Sequence, residues 1–309
     1  VPAPGGAGRG RPVRIGVALG GGGAKGLAHI GALKALLGSG IVPARVSGTS
    51  MGALVGGLYC LKNDIGVVER LALGFENADL SSYLAARPSS SGLVSEKRIQ
   101  AFLDGMFGSA RIEDLATPFS CVATDVRSGG EVVIDRGPLA RAVRASISVP
   151  VVFKPVPFQG RYLVDGGLVN PVPVDALKRG GAGLTVAVNV ITPPGGRPLP
   201  RARGGKRRNK DKPLIARLDD FFSRKLLSGG PHQEPNLIET TLATIEIMQE
   251  KLVLARLAND RPDVTIHVDT AGFKMFEFYR PAELIRRGEE AAERRLAAIL
   301  RLRRKLAGG

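Results

Sequence analysis

The sequence predicts an α/β fold of layered strand–helix units, and three observations point that way. An apolar strand-like run, Val13–Leu19, passes through a row of glycines into a helical pattern. A second short strand, Arg45–Gly48, passes through Ser50 into a helix of small residues. The composition agrees. The 309 residues are 44% hydrophobic but only 5% aromatic, with no Trp, so Gly, Ala, Val and Leu must fill the core of a close-packed sheet. That length suits one large α/β domain or two small ones.

Each element has its own local reason. Val13–Leu19 is a continuous apolar run of strand length. The helix from Ala24 to about Leu37 stops at Gly38-Ser39-Gly40, and Met51–Leu61 is the next helix. Helical spacing recurs over Val67–Phe75 and over Ser95–Phe107, where Ser95 suits an N-cap. Between these two helices, Pro88-Ser89-Ser90-Ser91-Gly92 reads as a mobile loop. Phe119–Val126 and Glu131–Asp135 are adjacent strands. Pro138–Ser146 is a helix with Pro in its first turn. Strands at Tyr162–Asp165 and Leu184–Val190 flank a helix near Val174–Arg179. Long helices are expected over about Pro213–Leu227, Asn236–Leu257 and Pro281–Leu306, with a strand at Val264–Val268. There is no internal repeat.

The formal net charge of +16 is concentrated in two places. Pro193–Pro213 carries eight bases against one acid, a net +7. Arg286 to the end carries eight against three, a net +5. These stretches favour an anionic membrane surface, nucleic acid or an anionic substrate. Nucleic acid is disfavoured because the basic loop has no interleaved aromatic residues for stacking. The composition divides the chain into a flexible leader (1–12), a core (13–192), a basic loop (193–213) and a mainly helical C-terminal part packing on the core (214–309).

Only Cys60 and Cys121 occur, both in apolar patterns, so buried reduced thiols are expected and zinc spacing is absent. No apolar run is long enough to span a bilayer. The first residue is Val, which leaves open a targeting segment removed ahead of it. A soluble protein, cytoplasmic or at a membrane surface, is the expectation.

The chemistry centres on Gly48-Thr49-Ser50-Met51-Gly52. A serine in Gly-x-Ser-x-Gly occupies a sharp strand-to-helix turn, where flanking glycines remove clashing side chains. Its hydroxyl is a weak nucleophile until a base takes its proton. The glycine run Gly20-Gly21-Gly22-Gly23-Ala24-Lys25-Gly26 offers backbone N–H groups for an oxyanion, with the Met51 N–H at the helix N-terminus as a further donor. Losing one such donor typically costs about 3 kcal/mol of transition-state stabilisation.

The same glycines have rival readings. Gly21-x-Gly23-x-x-Gly26 matches a dinucleotide fingerprint, but no acid lies between Leu27 and Asn63 to bind a ribose. Arg45 keeps an NADP variant open. A phosphate-binding P-loop fails because Lys25 is followed by Gly26 rather than Ser or Thr. The base is either Asp165 of Asp165-Gly166-Gly167 acting alone, or a Ser50…Asp165…His267 triad, which chain order permits. None of His29, His232 and His267 has an obvious catalytic setting.

Gly21–Gly26, Gly48–Gly52 and Asp165–Gly167 together resemble the three signature blocks of patatin-like phospholipases. Ala145-Ser146-Ile147-Ser148-Val149-Pro150 resembles the small Ser/Pro segment that precedes the family's aspartate. The stretch around Arg261–Glu290 is similar to bacterial members. The likeness is strong over about 13–190 and looser beyond.

The resemblance implies a three-layer α/β/α fold with a mostly parallel central sheet and a helical C-terminal part. It implies a Ser50–Asp165 dyad and an oxyanion hole lined by Gly21, Gly22, Gly23 and the Met51 N–H. Gly48, Gly52, Lys25, Gly26, Gly166 and Gly167 complete the motifs. The implied reaction is metal-free, cofactor-free hydrolysis of an acyl lipid or phospholipid through an acyl-enzyme. Membrane contact is expected to be peripheral only. The apolar Leu284, Ile285, Leu296, Ile299 and Leu300 stripe of the last helix is read as core-facing. No protein partner is identifiable. Ser82–Leu93 and 193–235 are candidate flaps. The competing functions are a non-lipid carboxylesterase using the triad, and a basic membrane-binding protein with a silent hydrolase site.

Overall fold

A computed structural model describes residues 13–74, 86–89, 92–191 and 237–308. The leader, the basic loop, the expected helix at 213–227, His232, the 193–235 flap and part of the 82–93 flap lie outside the described residues.

In chain order the first elements are β1 (Ile15–Leu19), α1 (Ala28–Gly38), β2 (Arg45–Thr49), α2 (Met51–Lys62) and α3 (Ile65–Gly74). The hairpin strands β3 (Ala86–Ser89) and β4 (Gly92–Val94), then α4 (Glu96–Phe107), β5 (Phe119–Asp125) and β6 (Glu131–Ile134) follow. Next come α5 (Leu139–Ser146), β7 (Val156–Phe158), β8 (Arg161–Asp165), α6 (Val174–Arg179) and β9 (Leu184–Asn189). The chain closes with α7 (Leu237–Asp260), β10 (Val264–His267) and α8 (Pro281–Ala307).

The main sheet has the order β10-β9-β1-β2-β5-β8-β7, with β6 also on β5. The pairings from β10 to β5 are parallel, and those of β5 with β6, β5 with β8 and β8 with β7 are antiparallel. The sheet is therefore parallel through its centre and antiparallel at the β7 side. All five residues of β1 are buried, as a strand covered on both faces requires.

Alternation along β1 assigns the layers. Ile15, Val17 and Leu19 join the core formed with α1, α2, α5 and α8. Ala18 faces the opposite way, into the cluster of Val174, Leu177 and Val253 from α6 and α7. The result is α/β/α.

The structure departs from the sequence expectations at three points. The helix expected from Ala24 begins as a 3₁₀ turn, Gly23–Leu27, before α1. Ala86–Ser89 and Gly92–Val94 pair as antiparallel strands where Pro88–Gly92 was read as a loop. The short strand β7 was not expected; its exposed Pro157 interrupts the apolar pattern.

The final helix packs on the first. A Cβ on Gly31 would lie 1.8 Å from the Ile285 carbonyl oxygen, and one on Gly288 would lie 1.8 Å from the Ala28 carbonyl oxygen. Leu284, Ile285 and Ile299 are buried in that contact, so the apolar stripe of α8 faces the core. Two helices this close leave no room for a methyl group. Gly31→Ala is therefore expected to lower stability by about 1–3 kcal/mol in denaturant melts. An unchanged midpoint would mean that α8 is free to move away from α1.

Candidate active site

Parallel strands deliver their C-terminal ends to one edge of the sheet, and both glycine-rich motifs lie there. The register of β5 decides what meets. Thr49, the last residue of β2, pairs with Val122, and Asp165, the last residue of β8, pairs with Ala123. Strand β6 pairs with both Val122 and Ala123 and so occupies the other edge of β5. Strands β2 and β8 therefore run towards each other along one edge and end at adjacent positions.

Ser50 sits where β2 stops. Its φ of 53° and ψ of −119° place a non-glycine residue in a sparsely populated region, and the surroundings hold it there. Its N–H donates to Ser146 Oγ at 2.9 Å, and that hydroxyl donates to the Val122 carbonyl at 2.6 Å. Its carbonyl accepts from the N–H groups of Ala53 and Leu54. The preceding Thr49 Oγ1 donates to the Asn170 carbonyl at 2.8 Å.

Ser50 Oγ donates to Asp165 Oδ2 at 2.6 Å. The other carboxylate oxygen, Oδ1, accepts the Gly167 N–H at 2.7 Å. The backbone of Asp165 is held as well. Its N–H donates to the Ser148 carbonyl, and its own carbonyl accepts from Thr124 Oγ1. Asp165 is 1% exposed. Burial pushes its carboxyl up to about 6, against the opposing pull of the Ser50 and Gly167 hydrogen bonds. The group is thus a carboxylate at neutral pH, more basic than an ordinary aspartate, and already bonded to the hydroxyl it would deprotonate.

The glycine loop follows β1. Gly22 (φ 129°) and Gly23 (φ 58°) adopt backbone that L side chains rarely enter. The Gly20 N–H donates to the Val188 carbonyl, Gly21 to Pro171 and Ala24 to Met275. Among the described residues, the Gly22 and Gly23 N–H groups have no acceptor, and Met51, as the first residue of α2, has none within its helix. Gly21 borders the nucleophile, since a Cβ there would lie 3.5 Å from Ser50 Cβ, but its donor is engaged elsewhere. The available donor set is therefore Gly22, Gly23 and Met51.

The remaining motif glycines permit close approach. A Cβ on Gly52 would lie 2.1 Å from the Leu19 carbonyl oxygen, and one on Gly48 would lie 2.4 Å from that of Gly52. A Cβ on Gly166 would lie 2.2 Å from the Val122 carbonyl oxygen, and one on Gly26 would lie 2.5 Å from Met51 Cβ. Lys25 pairs with Glu246 of α7, at 3.7 Å.

His267 ends the edge strand β10, three strands from β2, and its Nδ1 lies 3.4 Å from Asn189 Nδ2. Burial, then Arg295, pull its pKa down. The structure does not bring it to Ser50, and Asp165 contacts the serine directly, so the triad is not assembled. His29 is fully buried and its Nε2 lies 2.7 Å from the Gly20 carbonyl. Burial pushes it down to about 4, so it is neutral and anchors the start of the glycine loop. Arg45 pairs with Gly16 at the opposite end of β1 from that loop, which removes the NADP reading. Cys60 and Cys121 are free and buried, and burial pushes both thiols up.

A small apolar gap of about 10 Å³, room for roughly one water molecule, lies beside Met51. It runs between α1, α2 and α3, past Ile30, Leu54, Leu58, Val68 and Leu71. Among the described residues, no helix is long and apolar enough to cross a membrane.

Sequence reasoning did not find the supports of the dyad. Ser146 and Ser148 fall in the Ser/Pro segment, but nothing local shows that one accepts the Ser50 N–H and the other the Asp165 N–H. Thr124 and Asn170 carry no motif at all.

Comparison with known proteins adds to this geometry. The family model for patatin-like phospholipases matches residues 17–178. An uncharacterized NTE family protein of Mycobacterium tuberculosis is 36% identical over 177 residues, 57% of this chain and 49% of that protein. A second from the same organism is 28% identical over 302 residues, 92% of this chain and 46% of that protein. The neuropathy target esterase sws of Drosophila melanogaster is 35% identical over 181 residues, 57% of this chain and 13% of that protein. The chain thus spans about half the length of the two mycobacterial relatives.

The raised carboxyl of Asp165 has a consequence for stability. The folded state holds this proton up to about pH 6, whereas the unfolded chain releases it near 3.8. Stability therefore falls as pH rises through that window and stays lower above it, by on the order of 3 kcal/mol for a two-unit difference. Asp165→Asn keeps an acceptor for the Gly167 N–H without the buried charge. It is expected to melt above the parent at pH 7.5, with the gap closing below pH 4. A lower melting temperature at pH 7.5 would contradict the burial penalty.

Proposed function

This chain belongs to the patatin-like phospholipase family, and on that premise we propose that it is a lipid acyl hydrolase of the phospholipase A or lysophospholipase type. The observation that carries the reading is the 2.6 Å hydrogen bond from Ser50 Oγ to the buried Asp165 carboxylate, with no imidazole between them.

The mechanism follows from the atoms already described. Ser50 Oγ attacks the acyl carbonyl carbon while Asp165 Oδ2 takes its proton. The carbonyl oxygen gains negative charge and is held by the N–H groups of Gly22, Gly23 and Met51, in the field of the α2 N-terminus. Collapse expels the alcohol, which leaves with the proton from Asp165, and the acyl group remains on Ser50. Water then releases the acid.

Membership of a phospholipase family favours an acyl lipid over a small polar ester. A relative whose name says esterase shares the matched region. Attraction of the basic stretches to anionic headgroups would give peripheral membrane contact.

Hydrolysis of a fluorogenic acyl ester and of a phospholipid tests the reading. Ser50→Ala and Asp165→Asn are each expected to lower kcat/KM by roughly 10³-fold or more, while His267→Ala stays within about 2-fold of the parent. A dead but folded His267→Ala would restore the triad. A parent that neither turns over nor reacts with a fluorophosphonate would favour a silent, membrane-binding protein.

The pH profile is a second check. Only ionised Asp165 can accept the serine proton, so kcat/KM should rise with pH to a plateau, with a single acidic limb near pH 6. A limb near pH 4 would mean that burial does not raise this carboxyl.

A further inference from the structure

Helix α7 contributes one side chain that the dyad chemistry leaves unused. Gln249 is 6% exposed, yet its amide makes no hydrogen bond among the described residues. It is also absent from the buried polar atoms that are sealed from water without a partner. A buried, unpaired amide destabilises a protein unless it faces something it can bond.

The direction it faces is informative. The space where a Gly167 Cβ would stand is bordered by Gln249 Nε2 at 2.4 Å and by Asp165 Oδ1 at 2.9 Å. Glycine at 167 therefore lets the amide nitrogen approach the Oδ1 side of the Asp165 carboxylate. The helix is pinned on both sides of this point. Lys25 of the glycine loop pairs with Glu246, and Arg256 donates to the Val169 carbonyl and to Glu131.

We propose that Gln249 is a catalytic residue of deacylation, holding the water that cleaves the acyl-enzyme. The inference rests on the acyl-hydrolase reading above. While Ser50 carries the acyl group, its Oγ can no longer donate to Asp165, and a water takes that role. The water donates one O–H to Asp165 and accepts the Gln249 Nε2–H, which leaves its other lone pair aimed at the acyl carbon. The water oxygen bonds to that carbon and its proton passes to Asp165. The carbon–Oγ bond then breaks, the proton returns to Ser50 Oγ, and the carboxylic acid departs. Acylation requires no such water, so Gln249 should matter to one half of the cycle only.

Kinetics with a p-nitrophenyl ester, for which acylation is fast, separate the halves. Gln249→Leu fills the same space without the amide. Its kcat is expected to fall by roughly 10–100-fold with KM falling in proportion, so that kcat/KM stays within about 2-fold. A stoichiometric burst of nitrophenol should appear, and the rate of fluorophosphonate labelling at Ser50 should not change.

Gln249→Glu keeps the size of the side chain but, once ionised, has no N–H for the water. Its kcat should fall at least as far as that of Gln249→Leu, with its acidic limb moved to higher pH by the added charge beside Asp165. A parallel loss of kcat/KM and labelling in Gln249→Leu would show a structural role and overturn the inference. An unchanged kcat would overturn it too. A parent that is neither labelled nor active would remove the hydrolase reading itself, and this inference with it.

Discussion

Everything at this site depends on two strands ending at adjacent positions along one edge of β5. Thr49 stands opposite Val122 and Asp165 opposite Ala123, so β2 and β8 approach head-on and stop. A one-residue slip of either strand would turn its side chains to the other face and separate the pair. The switch from parallel to antiparallel pairing at β5 is therefore what brings a serine and an aspartate 115 positions apart within 2.6 Å. The glycine loop after β1 reaches the same sheet edge because β1 is the parallel neighbour of β2.

That arrangement carries strain and a desolvated charge, and the polar groups around it share the task of holding both. Ser50 keeps an unfavourable φ because Ser146 takes its N–H and α2 begins at its carbonyl. Asp165 keeps a buried carboxylate because Ser50 and Gly167 donate to its two oxygens. Ser148 and Thr124 tie down its backbone. Just before these serines, the buried Arg144 guanidinium donates to the Ser148 hydroxyl and stacks on Phe153, and burial pushes its pKa down to about 10. Hydrogen-bonded backbone on both sides holds the Asp165 carboxylate against the Ser50 hydroxyl with no imidazole between them.

Much of this was legible in the sequence because the motifs are set by close approach. Gly48, Gly52 and Gly166 stand where any side chain would meet a backbone carbonyl, so the glycines mark the elbow and the turn after Asp165. The parallel core was equally plain in the buried runs of β1 and β9. Other features could not be read from local pattern. Whether Gly21 or Gly22 presents a free N–H depends on where Pro171 lies, which is a tertiary fact. His267 satisfies the chain order of a triad and is removed only by the strand order. Gln249 sits on a helix with apolar residues on several sides, and nothing nearby in sequence points it at Gly167.

The central claim is that an aspartate alone serves the nucleophile, with the oxyanion on Gly22, Gly23 and Met51. A crystal structure of the fluorophosphonate adduct examines it most directly. The account predicts phosphorus bonded to Ser50 Oγ, the phosphoryl oxygen within about 3.1 Å of those three N–H groups, and Asp165 as the ionisable side chain beside the adduct. A phosphoryl oxygen turned away from the glycine loop, or an imidazole contacting the adduct, would contradict it.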